Sequence, residues 1–232
     1  MEEWVHPTFL SSSLSFESPA DCRQLLRRVG FVDVCLEAVK SLKSGGIVAI
    51  PTDTVYGLGA DPFNPSAVQK LYTVKGRPDG NPIPLVLSSV TDIHRFSRNL
   101  PDFFFHLTDR FWPGGLTIVI ESKGLLPVLT AGGNTVGVRI PDNPLLLKIL
   151  QAFGGPMAIT SANLSGEPPA TSVQEIGEEL ASRIDMIVDG GKTPGPIPST
   201  VYDISVSPPL VRRQGVISEE TLAKEFACYN KR

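Results

Sequence analysis

Gly46 to Pro65 reads GIVAIPTDTVYGLGADPFNP, and the order of residue types along it decides the class of fold. Gly46-Ile47-Val48-Ala49-Ile50 is a short β-branched run of the kind that makes a buried strand, and Pro51 ends it. The strand empties into Thr52-Asp53-Thr54, then Tyr56 and the glycines Gly57 and Gly59. Asn64-Pro65 supplies an N-cap followed by proline at the first helical position. Strand, polar glycine-bearing loop and capped helix in succession point to an α/β protein, in which the loops beyond strand ends hold ligands. An equal reading makes the same loop a plain turn, with Gly supplying positive φ and Asp local hydrogen bonds.

Outward from this stretch the chain continues in the same manner. Upstream, Val34, Ala38 and Leu42 recur at helical spacing, which predicts a helix over Asp33–Leu42 closed by Gly45-Gly46. Residues 1–30 read as a flexible leader and 31–232 as one domain. Downstream, Val68, Leu71 and Tyr72 line one face of a helix running to about Val74. Apolar runs predict strands at 84–87, 116–120, 135–139, 157–160, 186–189, 200–203 and 210–213. Helices are expected at 89–99, 101–111, 143–153, 172–184 and 219–228, and residues 190–198 form a Pro/Gly-rich loop. The alternation of strands and helices is not strict, so the expected architecture is a twisted, mixed, open sheet flanked by helices.

With 41% apolar and 19% charged residues in 232, the chain suits a globular protein with a sizeable core. No run approaches the roughly 20 apolar residues that span a bilayer, so no membrane association is expected. The net charge of -3 disfavours holding nucleic acid by a general field, and any basic site must be local. Cys22, Cys35 and Cys228 are far apart, with no CxxC spacing, which argues against a disulfide framework or a zinc site. A reducing, cytoplasmic setting is the simple reading, with an organellar form left open. The N-terminus, with Glu2, Glu3 and a run of serines, lacks the basic and apolar regions of a secretory signal.

Further polar segments stand beside the expected strands. Lys75-Gly76-Arg77-Pro78 with Asn81-Pro82 places a point charge and a bidentate clamp on one loop, a natural phosphate site that otherwise reads as a solvated basic loop. It is no Walker loop, because G-x-x-x-x-G-K-[ST] is absent. Phe111 to Thr117 (FWPGGLT) reads as structural. Arg139 ends the strand from Thr135 and is read as continuing the inward row of Val136 and Val138, hence partly buried and in need of a counter-ion. A ligand carboxylate and an internal Asp serve that need equally. Thr160 to Gly166 (TSANLSG) offers uncharged hydrogen-bonding groups for ribose, base or phosphate, or a helix cap. Ser199 to Asp203 follows the Pro/Gly loop, and Arg212-Arg213 offers another phosphate clamp. His6, His94 and His106 lie outside every motif, and no carboxylate pair, HExxH or G-x-S-x-G occurs. Cations, hydroxyls and amides orient anions rather than shuttle protons, which fits phosphoryl or nucleotidyl transfer.

Taken in order, PTDTVYGLGAD, KGRP with its NP, WPGGLT, VGVRIP, TSANLSG and STVYD resemble the YrdC-type L-threonylcarbamoyl-AMP synthase family over about Val34 to Ile217. The resemblance implies a YrdC-like α/β catalytic domain over 31–232 with a concave, positively lined groove. It implies that L-threonine, bicarbonate or CO2, and ATP give threonylcarbamoyl-AMP and pyrophosphate, with Mg2+ accompanying the triphosphate. A downstream transferase would pass the threonylcarbamoyl group to tRNA reading ANN codons, with at most a weak tRNA contact by this chain. Carried over residue by residue, Thr54, Tyr56, Arg139 and Ser199 would meet threonine. Lys75, Arg77, Asn81, Thr135, Ser161, Asn163 and Arg213 would meet ATP, Lys75 and Arg77 being the catalytic pair. The chain departs from the pattern at Val86, where many members carry His, and at Arg213-Gln214-Gly215, where Arg-Pro-Gly is frequent. It ends at Arg232 without the C-terminal domain of longer relatives, and so resembles the short form. Two alternatives are a double-stranded RNA or tRNA-binding module without catalysis, and a carbamoyl-phosphate-dependent enzyme on the same fold.

Overall fold

The computed structural model describes residues 33–78, 80–97 and 100–231. The chain divides between residues 34 and 35, and the fold is that of the second unit, Cys35–Arg232. The leader expected over residues 1–30 lies outside the described residues.

Residues 35–43 are helical (α1), and β1 follows as the fully buried Val48–Pro51. The hydroxyl of Thr52 then folds the chain back. It accepts from the backbone N–H of Thr54 at 3.0 Å and of Val55 at 3.2 Å, and lies 2.7 Å from the Val55 carbonyl, to which it donates. This turn starts β2, Tyr56–Ala60, which runs antiparallel to β1 with Val48 opposite Gly59. Gly57 and Gly59 therefore lie in a strand, not in the loop that the sequence suggested, and neither has positive φ. Their lack of a side chain serves close packing instead: a Cβ on Gly57 would stand 2.5 Å from Ile159 Cγ2, and one on Gly59 2.8 Å from Met157 Cε. Asn64 caps α2, Pro65–Lys75, accepting from the N–H of Ser66 and Ala67, and Gly76 ends the helix at φ 59°.

The remaining strands are β3 Leu85–Val86, β4 Leu116–Glu121, β5 Thr135–Arg139, β6 Met157–Ser161, β7 Met186–Ile187, β8 Thr200–Asp203 and β9 Leu210–Arg213. Among the described residues they form one twisted sheet in the order β7-β1-β2-β6-β3-β5-β4-β8-β9. β1–β7, β3–β5 and β4–β8 pair in parallel and the other neighbours antiparallel, which makes the sheet mixed as expected. The helices are α3 Asp102–Phe111, α4 Pro144–Phe153, the single-turn α5 Glu178–Ala181 and α6 Glu219–Tyr229. Two expected helices shrink. In place of 89–99 stands a 3-10 segment, Val90–Arg95, closed where the N–H of Phe96 and of Ser97 both turn to the Ile93 carbonyl. Within 172–184, Ile176 leaves helical geometry at ψ 104° to bury its side chain, which separates a 3-10 turn at Val173–Glu175 from α5.

Period two divides the sheet into two faces. Leu58, Leu85, Ile118, Val136, Val138, Ala158 and Tyr202 point to one side, where they share a core with Val68 and Leu71 of α2, Phe104 and Leu107 of α3 and Leu222 of α6. Gly57, Val86, Thr117, Val119, Gly137, Arg139, Ile159, Ser161, Val201 and Arg213 belong to the other side, and register ties them together. Gly57 is opposite Ser161, Val86 opposite Arg139, Val119 opposite Gly137, and Val201 opposite both Thr117 and Arg213. Arg139 thus shares a face with Gly137 and Thr135, not with Val136 and Val138 as the sequence reading had it.

Candidate active site

That second face floors an open cavity. Thr52 and Thr54 of the β1–β2 turn and Tyr56 at the start of β2 wall it, together with Pro82 and Pro84 before β3, Leu146 of α4, and Pro198 and Ser199 before β8. The guanidiniums of Arg77, Arg139 and Arg213 line it, and among the described residues no carboxylate does. A chain of net charge -3 thereby concentrates positive charge in one place.

Each arginine is held by different partners. Arg77 leaves the left-handed end of α2, and its Nε and Nη2 each lie 3.1 Å from a carbonyl to which they donate, those of Asn81 and Pro82. Arg213 reaches across from β9, its Nη2 donating to the Ser199 carbonyl at 3.0 Å and hydroxyl at 3.2 Å. Arg139 is 7% exposed and donates through Nε to the Gly114 carbonyl at 2.8 Å, through Nη1 to the Thr54 hydroxyl at 3.4 Å, and through Nη2 to Asp53 Oδ1 at 2.5 Å. The counter-ion that Arg139 needs is therefore internal. Burial pulls the Arg77 and Arg213 guanidiniums below the ordinary arginine range, and Arg213 is lowered further by the charges of Arg139 and Arg77.

The structure brings seven of the residues singled out in the sequence to the cavity: Thr54, Tyr56, Arg77, Arg139, Ser161, Ser199 and Arg213. Tyr56 contributes its ring rather than a free hydroxyl. Its OH donates to the Gly191 carbonyl at 2.7 Å and accepts from the Gly190 N–H at 3.2 Å, and burial holds its pKa above the ordinary phenol value. Ser199 shares a hydrogen bond with Thr117 at 2.9 Å.

Four others stand outside the lining. Lys75 is 3% exposed and lies behind Ser161, where Nζ is 2.6 Å from the Ser161 carbonyl, 2.9 Å from the Asn163 carbonyl and 2.8 Å from Asn163 Oδ1. Burial first, and Arg77 second, lower its pKa from 10.5 to about 8. Asn163 orients this knot, its Nδ2 donating to the carbonyls of Leu164 and Glu167. Asn81 offers its backbone carbonyl to Arg77 and to the Tyr72 hydroxyl. Thr135 pairs with Glu121 at the far end of β5, on the cavity face but beyond the lining. Arg212, read in the sequence as half of a second clamp, points away and binds Asp203, with Nε at 2.9 Å from Oδ2.

The sequence reading passed over Thr117 and Gly137, and it named Asp53 only within its loop while leaving an internal Asp open as the partner of Arg139. Thr117 and Gly137 sit one residue out of phase with apolar rows, and that alternation is the signal that they face the opening. Gly137 keeps the floor low, since a Cβ there would meet Thr117 Cγ2 at 3.0 Å and Pro84 Cβ at 3.3 Å.

Fold and cavity together define an α/β protein with three arginines gathered on one face of a mixed sheet. The Sua5/YciO/YrdC family model, described as "Telomere recombination", matches residues 40–215. The chain belongs to this family. It is 40% identical over 188 residues to the threonylcarbamoyl-AMP synthase of Bacillus subtilis, covering 80% of this chain and 54% of that protein. The solved structure of Pyrococcus abyssi Sua5 complexed with L-threonine superposes with a TM-score of 0.80 at 36% identity, over 84% of this chain and 57% of that one. Escherichia coli YciO superposes with a TM-score of 0.74 at 28% identity, over 84% and 93% of the two chains. The chain spans about half the length of the curated relatives it matches first.

Proposed function

We propose that the chain makes threonylcarbamoyl-AMP and pyrophosphate from L-threonine, bicarbonate or CO2, and ATP. The observation that carries this reading is the cavity lined by Arg77, Arg139 and Arg213 and, among the described residues, by no carboxylate, in a family whose relatives bear that name. The threonine nitrogen adds to CO2, forming the N–C bond of a carbamate and giving up a proton to solvent. A carbamate oxygen then attacks the α-phosphorus, a new P–O bond forms, and the α–β bridge breaks to release pyrophosphate. Arg139, Thr54 and Ser199 receive the amino acid; that the similar Pyrococcus abyssi Sua5 has been solved with L-threonine bound supports threonine as that amino acid. Arg77, Arg213 and Ser161 receive the phosphates. Lys75 acts through Ser161 and Asn163, whose backbone it fixes. Catalysis then consists of alignment and charge neutralisation, and forms no covalent intermediate with the protein.

Among the described residues no cluster of His, Cys, Asp or Glu would hold a metal ion. Magnesium enters as part of the triphosphate substrate, bound by phosphate oxygens and water. Residues 31–232 form the catalytic domain, and the product passes to a transferase that modifies tRNA. No helix among the described residues is long and apolar enough to cross a membrane. Unpaired Cys35 and Cys228 favour a reducing, cytoplasmic site of action.

Pyrophosphate release from purified protein given ATP, magnesium, L-threonine and bicarbonate tests the reading. Release that needs both threonine and bicarbonate is expected, and a folded, ATP-binding protein that releases none contradicts it.

A further inference from the structure

The cations around the cavity are not equivalent. Arg77 donates to the carbonyls of Asn81 and Pro82, Arg213 to the carbonyl and hydroxyl of Ser199, and Lys75 to oxygens of Ser161 and Asn163. All of these acceptors are uncharged, so among the described residues no carboxylate offsets the charge of these three cations. Among the described residues, Arg139 alone of these cations touches a carboxylate, that of Asp53, with the two side chains 8% and 12% exposed. Asp53 is not itself on the cavity lining. The turn made by the Thr52 hydroxyl holds it behind Arg139, so that it acts on a ligand only through that residue.

We propose that Asp53 is a positioning residue that sorts the two ends of the cavity by charge. Paired with Asp53, Arg139 offers oriented N–H donors with no net charge and suits a single carboxylate. The Arg77 and Arg213 end is uncompensated and takes the polyanion. Without Asp53 the cavity would be cationic from end to end, and a polyphosphate would gain from lying across the Arg139 end, where it excludes the amino acid. Burial first lowers Lys75 and Arg213, and Arg77 lowers both further, with Arg139 also acting on Arg213; repulsion between Arg77 and these two cations fits a lack of counter-charge around them among the described residues. The assignment of ends rests on the function proposed above; the charge pairing does not.

The test is calorimetric titration with pyrophosphate at low salt. Asp53→Asn keeps an oxygen acceptor for Arg139 and removes only the charge, so pyrophosphate should bind about tenfold tighter. A damaged site would lose affinity, not gain it. Asp53→Glu should stay near wild type. In Asp53→Asn with Arg139→Gln the neutral pair is replaced by a neutral pair, and affinity should return to within about threefold of wild type. Arg139→Gln alone leaves the Asp53 charge bare and should weaken binding, a result readable even if the first variant fails to fold. Unchanged pyrophosphate affinity in folded Asp53→Asn, or in Arg139→Gln, overturns the proposal. Failure of the threonine reading would look different: L-threonine would leave the wild-type titration unaffected while the pattern among the variants persisted.

Discussion

Val201 and Arg213 face each other across β8 and β9, and this register swings the Arg213 guanidinium over Ser199 while its neighbour Arg212 turns to Asp203 on the far side. Two adjacent arginines therefore have opposite duties. Arg213→Ala should raise the KM for ATP at least about tenfold, as expected for losing a charge-assisted contact to phosphate. Arg212→Ala should leave steady-state kinetics within about twofold of wild type, because its half-exposed side chain points away from the cavity to Asp203, which also accepts from the Ser205 N–H and hydroxyl. Kinetics of the two variants side by side check the assignment, and equal losses would refute it.

Lys75 should make stability depend on pH in an unusual direction. Its pKa in the fold is about 8, against an ordinary 10.5, so between pH 8 and 10 the unfolded chain binds the proton that the folded chain has released. Stability therefore rises with pH through this window. Wild type should gain about 2–3 kcal/mol over it relative to Lys75→Met, whose side chain does not titrate. Urea melts at pH 7.5 and 10 measure the difference, and parallel curves for the two proteins would show that burial does not lower this lysine.

Gly57→Ala should destabilise the fold by about 1–3 kcal/mol, since the new methyl group lies 2.5 Å from Ile159 Cγ2 and 3.3 Å from the Thr160 carbonyl. Ile159→Ala opens that space, so the double variant should be more stable than the sum of the two losses. Strict additivity in thermal melts would mean that the strand tolerates the side chain.

The ends of the chain's elements were legible to different degrees. β8 and β9 fall on the residues expected, because Thr200–Asp203 and Leu210–Arg213 are short β-favouring runs bounded by prolines or polar turns. β2 was hidden because Gly57 and Gly59 look like turn residues until Ile159 and Met157 of the neighbouring strand are known to press against them. The break at Ile176 depends on a core position that no local pattern announces. In the site, cations and hydroxyls were visible as motifs, and seven of those residues do line one cavity. Their partners were not visible: Asp53 behind Arg139 and Ser161 in front of Lys75 are neighbours across 86 residues of chain. Thr117 was masked by the structural look of the glycine-rich run before it.

The central claim, that this cavity joins a carbamate of threonine to AMP, is tested most directly by supplying 13C-bicarbonate with L-threonine, ATP and magnesium, and weighing the nucleotide product. The account predicts an adenylate that contains threonine and one labelled carbon, and that disappears in Arg77→Ala and Arg139→Ala. An adenylate of threonine without the labelled carbon, or no adenylate from a folded protein that binds ATP, would contradict it.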